Sequence, residues 1–220
     1  MSLKYIKIEP EHKANACIIW LHGLGANGHD FEGIVPELNL PPTHGIRFIF
    51  PHAPNMPVTI NNGYIMPAWY DILENQLEKK VDEEGIKLSS LAIKEIIDEQ
   101  ISHGIASERI LLIGFSQGGA VVYETGLSYS KPLAGIFALS TYFATADTIN
   151  IHPSNQDIKI NLYHGEYDPV VPIQLANQAL NDLEKQQIQA ELLSYRMEHN
   201  VCLEEIEDIA RIIKQKLTDI

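Results

Sequence analysis

Short, continuously apolar runs recur along the chain and constrain its fold more than any other feature. ACIIWLHG (16–23) ends in a glycine, and IRFIFPHA (46–53) is stopped by prolines. RILLIG (109–114), LAGIFALS (133–140), IKINLYHG (158–165) and AELLSYRM (190–197) have the same character. Apolar runs of this length without alternation suit strands buried on both faces. KYIKI (4–8) alternates with period two. The first strand or two are therefore placed at the sheet edge, in antiparallel pairing. Between the runs lie helical patterns. Apolar residues fall at 88, 91, 93, 96, 97 and 101, close to a 3.6-residue period. A second pattern covers 117–129, and a third covers 172–187 with proline at its start. A fourth, 201–217, puts Leu203, Ile206, Ile209, Ile213 and Leu217 on one stripe. Strands alternating with helices predict an α/β fold with a mostly parallel sheet.

The chain has 220 residues, which suits one domain spanning 1–220. One stretch breaks the alternation. From Ala53 to about Gly85 the chain carries Pro54, Pro57, Gly63 and Pro67 among aromatic and amide residues. A long irregular segment in a compact domain is commonly functional, so this one is read as an ordered excursion over one end of the sheet.

Charge and composition exclude several classes. A net charge of −13 repels phosphate backbones and anionic membrane surfaces, so nucleic acid is not an expected partner. No run approaches the ~18 apolar residues of a membrane span. The opening MSLKYIKIEP lacks the apolar core of a signal peptide, and a cytoplasmic location is expected. Cys17 and Cys202 make no disulfide framework, and Cys202 is read as core packing. The nine histidines are scattered without metal-ligand spacing, so no metal is expected. GLGANG (23–28) mimics a dinucleotide loop, but the following strand ends in FPHAP rather than a ribose-binding acid.

Gly114-Phe115-Ser116-Gln117-Gly118 matches G-x-S-x-G between a predicted strand and a predicted helix. That is the context of a nucleophile elbow. Glycines two positions either side of the serine make room for a tight turn. The helix N-terminus then offers free N–H groups to developing negative charge. Gln117 counts here for its backbone N–H more than for its side chain. A serine needs a base, and the elbow orders its partners serine, acid, histidine along the chain. Asp168 suits the acid, in a turn closed by Pro169 and Pro172, with Glu166 as the fallback. Asp147 and Asp157 precede the strand and fall at its wrong end. Of His152, His164 and His199, only His199 lies downstream of Asp168. His164 is then a strand-end histidine satisfied by local backbone. The oxyanion hole needs a second N–H from a loop after an early strand, and WLHGLGANG (20–28) supplies one; the alternative is a flexible loop in which His22 is a structural histidine.

These pieces together resemble the carboxylesterase, lysophospholipase and acyl-protein thioesterase family of small α/β hydrolases. The stretches that carry the resemblance are IIWLHGLGANGHDF, RFIFPHAP, VTINNGYIMPAWYDI, GFSQGGAV, HGEYDPVVP and HNVCLEEI, from about residue 18 to 206. The resemblance implies an α/β-hydrolase fold without a large cap. It also implies cofactor-free hydrolysis of carboxylic esters or thioesters of acyl chains, lysophospholipids among them. It makes Ser116 the nucleophile, Asp168 the acid and His199 the base. The N–H groups of Leu24 and Gln117 become the oxyanion hole, and Trp69 lines the acyl side of the pocket. Two stretches depart from the family pattern. Glu198-His199-Asn200-Val201 stands where the family has glycine before the histidine, and Thr141-Tyr142-Phe143-Ala144 stands where it commonly has Gly-Tyr-Leu-Pro. The expected partner is a small acyl ester or an acylated substrate, and a homodimer is compatible with the exposed excursion. The alternatives are an amide or peptide hydrolase and a catalytically silent relative that binds an acyl ligand.

Overall fold

The computed structural model describes residues 3–74 and 80–218. Residues 75–79, part of the irregular excursion, lie outside the described residues. The elements run β1 (Tyr5–Ile8), β2 (Ala16–Leu21), β3 (Ile46–Pro51), β4 (Asn55–Val58), β5 (Tyr64–Pro67), α1 (Glu83–Ser102), β6 (Ile110–Phe115), α2 (Gln117–Ser128), β7 (Gly135–Leu139), β8 (Lys159–Gly165), α3 (Ile173–Lys185), β9 (Gln189–Tyr195) and α4 (Leu203–Leu217). Seven strands form one sheet in the order β1-β3-β2-β6-β7-β8-β9. All neighbours pair parallel except β1, which runs antiparallel to β3 at the edge. This is the mostly parallel α/β sheet that the apolar runs predict, in the α/β-hydrolase arrangement that the resemblance implies.

The apolar runs are explained by a core on each face of the sheet. In β2, Cys17, Ile19 and Leu21 join one core, while Ala16, Ile18 and Trp20 join the other. Successive side chains of a strand point to opposite faces, so a strand covered on both sides has no polar position to spare. The first core takes side chains from α1, α2 and α3, including Ile93, Val121 and Leu183. The second takes Ile206, Ile209, Ile213 and Leu217 from α4. Parallel strands end on one side, so the loops after β2, β6, β7, β8 and β9 all leave from the same edge. Ligands of open parallel sheets bind outside such carboxyl ends.

Four sequence expectations are corrected in detail. The excursion is not wholly irregular, because β4 and β5 form a separate antiparallel hairpin in which Met56 faces Met66. Helix α1 begins at Glu83 rather than 88, capped by the Asp82 carboxylate accepting from the Gly85 N–H at 3.0 Å. Leu88 and Leu91 are 68% and 58% exposed, and the inward stripe of α1 is instead Ile86, Ile93, Ile96 and Ile97. Leu203 of the α4 stripe is likewise 63% exposed.

In that first turn of α4 the buried position belongs to Glu205, which is fully inaccessible. Among the described residues its carboxyl oxygens have no well-formed hydrogen-bond partner. Burial pushes the group up to about 8, against a weaker opposing pull from the Cys202 backbone. The sign of its linkage follows. Below the ordinary value of 4.5 the carboxyl is protonated in both folded and unfolded chains. As pH rises toward 8, the unfolded chain ionises first and folding is progressively disfavoured. Glu205→Gln should therefore stabilise the protein at pH 8 by on the order of a few kcal/mol and change little near pH 4. Urea midpoints at the two pH values measure this, and equal shifts at both would contradict it.

Candidate active site

Ser116 lies between β6 and α2 with φ 52° and ψ −119°, a conformation sparsely populated by any residue with a side chain. Its neighbours make that geometry accessible. A Cβ on Gly114 would collide with the Gly118 carbonyl, and one on Gly118 would lie 2.6 Å from the His22 carbonyl oxygen. The Ser116 N–H donates to the Leu139 carbonyl at 2.8 Å, and the Thr141 hydroxyl donates to the Ser116 carbonyl at 2.6 Å. The loop after β7 thus holds the bend from both sides.

Ser116, His199 and Asp168 are brought together. His199 Nε2 lies 2.9 Å from Ser116 Oγ, and Nδ1 lies 2.7 Å from Asp168 Oδ2. A carboxylate only accepts, so Nδ1 carries a proton and Nε2 is free to accept from the hydroxyl. Asp168 Oδ1 accepts from the Val170 and Val171 N–H groups, both at 2.8 Å. Burial alone would raise this carboxyl. The His199 hydrogen bond and the two amides outweigh it and hold the group below its usual value. Glu166, the fallback acid, is exposed and accepts from Ser194 Oγ at 3.3 Å instead.

His199 is carried in by its loop. A Cβ on Gly165 would collide with the Met197 and Glu198 carbonyls, so the bare glycine lets that loop cross the end of β8. Backbone bonds fix the crossing, from Glu166 N–H to the Tyr195 carbonyl and from Tyr167 N–H to the Met197 carbonyl. The Phe115 ring lies against the imidazole, with centroids 4.8 Å apart. Glu198, the departure beside the histidine, is exposed, while its carbonyl packs over Gly165.

A cavity of about 600 Å³ opens over Ser116, lined by Leu24, Phe115, Gln117, Tyr142, Val170 and His199 among others. Neither the Leu24 N–H nor the Gln117 N–H is spent on a protein acceptor among the described residues. Trp69 does not line this cavity. It is buried in the wall behind, where its indole N–H donates to the His22 carbonyl at 2.8 Å. The next residue, Tyr70, reaches the cavity and shares a hydrogen bond with Tyr142 at 2.9 Å.

Sequence reasoning overlooked three contributions. The Gln117 side chain is a staple: its Oε1 accepts from the Trp69 N–H at 2.8 Å and its Nε2 donates to the Tyr70 carbonyl at 2.6 Å. His164 donates from Nε2 to the Val171 carbonyl at 2.8 Å, the local role expected, but that nitrogen also lies 3.6 Å from Asp168 Oδ2. Thr141 anchors the bend at Ser116, whereas the sequence suggested only an effect on pocket shape.

Comparison with known proteins accords with this geometry. The family model described as Phospholipase/Carboxylesterase matches residues 5–217. The chain belongs to this family. It is 36% identical to acyl-protein thioesterase 1 of Mycosarcoma maydis over 97% of each chain. It is 35% identical to acyl-protein thioesterase 1 of Neurospora crassa, covering 92% of this chain and 87% of the relative. Among solved structures, Arabidopsis thaliana SOBER1 superposes with a TM-score of 0.86 at 30% identity, over 93% of this chain and all of its own. No helix of the described residues is long and apolar enough to cross a membrane.

The staple yields a stability test. Gln117→Leu would leave the Trp69 N–H and the Tyr70 carbonyl buried without partners. The expected loss is about 2–5 kcal/mol, read from a urea melt. An unchanged midpoint would mean that the excursion is held by other contacts.

Proposed function

We propose that this member of the family is a serine hydrolase of carboxylic esters and thioesters of acyl chains. The observation that carries the reading is the hydrogen-bonded line from Ser116 Oγ through both nitrogens of His199 to Asp168, at 2.9 and 2.7 Å. His199 Nε2 takes the proton as Ser116 Oγ attacks the acyl carbonyl. Asp168 holds the tautomer and stabilises the imidazolium that forms. The Leu24 and Gln117 N–H groups receive the charge on the carbonyl oxygen, with the positive end of α2 behind Gln117. The imidazolium returns its proton to the departing alcohol or thiol. Water then attacks the acyl-enzyme by the same route, releasing the acid and restoring Ser116.

The apolar part of the cavity lining, with Phe115, Val170 and Tyr142, supports an acyl chain as the bound group. The relatives named acyl-protein thioesterase 1 support thioesters beside oxygen esters. The position of the Asp168 carboxyl below its usual value supports an acid that stays ionised throughout turnover.

Three experiments test this. Stopped-flow release of p-nitrophenol from p-nitrophenyl acetate should show a burst that Ser116→Ala abolishes while the circular dichroism spectrum is kept. Persistent turnover in that variant would remove Ser116 from the mechanism. Asp168→Asn should lower kcat by about 10⁴-fold through the wrong imidazole tautomer. Reaction of Ser116 with a fluorophosphonate separates the hydrolase from a silent acyl-binding relative, which would leave the serine unlabelled.

A further inference from the structure

The loop after β2 makes a tight turn beside the elbow. An ideal Cβ on Gly23 would lie 3.4 Å from Ser116 Cβ, so this backbone runs directly alongside the serine. The next peptide plane, Gly23 to Leu24, has its carbonyl end in a hydrogen bond. His22 Nδ1 lies 2.7 Å from the Gly23 carbonyl oxygen, and the Ala26 N–H reaches the same oxygen at 3.3 Å. The carbonyl can only accept, so Nδ1 must be the protonated nitrogen. The other nitrogen agrees, because Nε2 accepts from the Ala53 N–H at 3.1 Å. The ring is therefore a neutral, single tautomer between two backbone groups. Burial favours that state and pushes the group down to about 4.

In a trans peptide the C=O and the N–H point in opposite directions. Holding the Gly23 carbonyl against the imidazole thus turns the Leu24 N–H away from it, and Gly23 and Leu24 both line the cavity. The following plane is fixed as well, since the Gly25 N–H donates to the Pro67 carbonyl at 2.9 Å. His22 itself is held by its own backbone, through the indole N–H of Trp69 on its carbonyl.

We infer that His22 is a positioning residue for the reaction, the group that keeps the Gly23–Leu24 peptide from turning over. Without it, only the longer Ala26 N–H contact at 3.3 Å holds that carbonyl, and a turned peptide would present negative charge where the oxyanion forms. His22 touches neither substrate nor reacting atoms in this scheme. Its effect on rate is carried entirely by the orientation of one peptide plane. The inference rests on the Ser116 hydrolase reading for its consequence in rate, and on the hydrogen bonds alone for its structural content.

Two substitutions divide the imidazole's contacts. In His22→Asn the amide nitrogen takes the place of Nδ1 and keeps the donor to Gly23, losing the Ala53 contact. In His22→Gln the longer amide reaches Ala53 and loses the donor to Gly23. Each variant removes one buried hydrogen bond, so a purely structural role predicts equal losses. We expect kcat for p-nitrophenyl acetate to fall about 10²-fold in His22→Gln, the cost of one oxyanion donor. KM should stay within about threefold, and the affinity of a trifluoromethyl ketone should weaken in parallel with kcat. His22→Asn should recover to within about tenfold of the wild type. A crystal structure of His22→Gln should show the Gly23–Leu24 peptide rotated. Equal kcat losses in the two variants, or an unrotated peptide in His22→Gln, would overturn the inference. If neither variant folds, imidazole ¹⁵N shifts of the unaltered protein decide: the Nδ1–H tautomer upholds it and the Nε2–H tautomer overturns it. A wild-type protein inactive on every ester and thioester would remove the proposed function, while the peptide orientation and the tautomer would still judge this inference.

Discussion

The site depends on a backbone conformation that the chain adopts against its own preference. Ser116 at φ 52° costs on the order of 1–3 kcal/mol, and it persists because surrounding groups fix both ends of the residue. Its N–H is taken by Leu139 at the end of β7, and its carbonyl is taken by Thr141 two residues later. The bend is therefore held by the neighbouring strand and loop as well as by the elbow's own Gly119 and Ala120 N–H groups. The same bend starts α2 at Gln117, so the strain and the free N–H groups share one origin.

Burial and hydrogen bonding oppose one another across the rest of the site. Asp168 is shut away from water, which disfavours its charge, yet His199 and two successive amides keep it ionised. His22 and His164 show the opposite balance. Both are buried, both bond to backbone carbonyls, and both are driven toward the neutral form. Of these histidines, His199 lines the cavity, while His22 and His164 are buried behind it. Only His199 has a hydroxyl on one side and a carboxylate on the other.

Much of this was legible in the sequence because buried parallel strands and a glycine-flanked serine leave local marks. The apolar runs and the alternating KYIKI marked every strand of the main sheet, and with Asp168 as the acid, chain order singled out His199 from three candidates. What escaped was set by contacts between distant segments. The β4–β5 hairpin was hidden because Pro57 and Pro67 interrupt its pattern. The start of α1 was hidden because Gly85 reads as a breaker, although Asp82 caps the helix there. Trp69 was expected in the pocket from its neighbourhood in sequence. Its burial against His22 and its backbone link to Gln117 are properties of the folded chain. The Gln117 side chain was missed for the same reason, since nothing local indicates a partner 48 residues away.

The placement of β9 has a consequence for how the protein loses function. It is the last strand of the sheet, pairs only with β8, and delivers His199 four residues after its end. The serine and the Gly23–Leu24 loop sit instead around β2, β6 and β7 in the middle of the sheet. Edge elements open at lower free energy than the centre. A partial opening at that margin would part His199 from Ser116 while leaving the bend, the cavity floor and most of both cores in place. Loss of that contact and global unfolding then become separable events, with the first preceding the second.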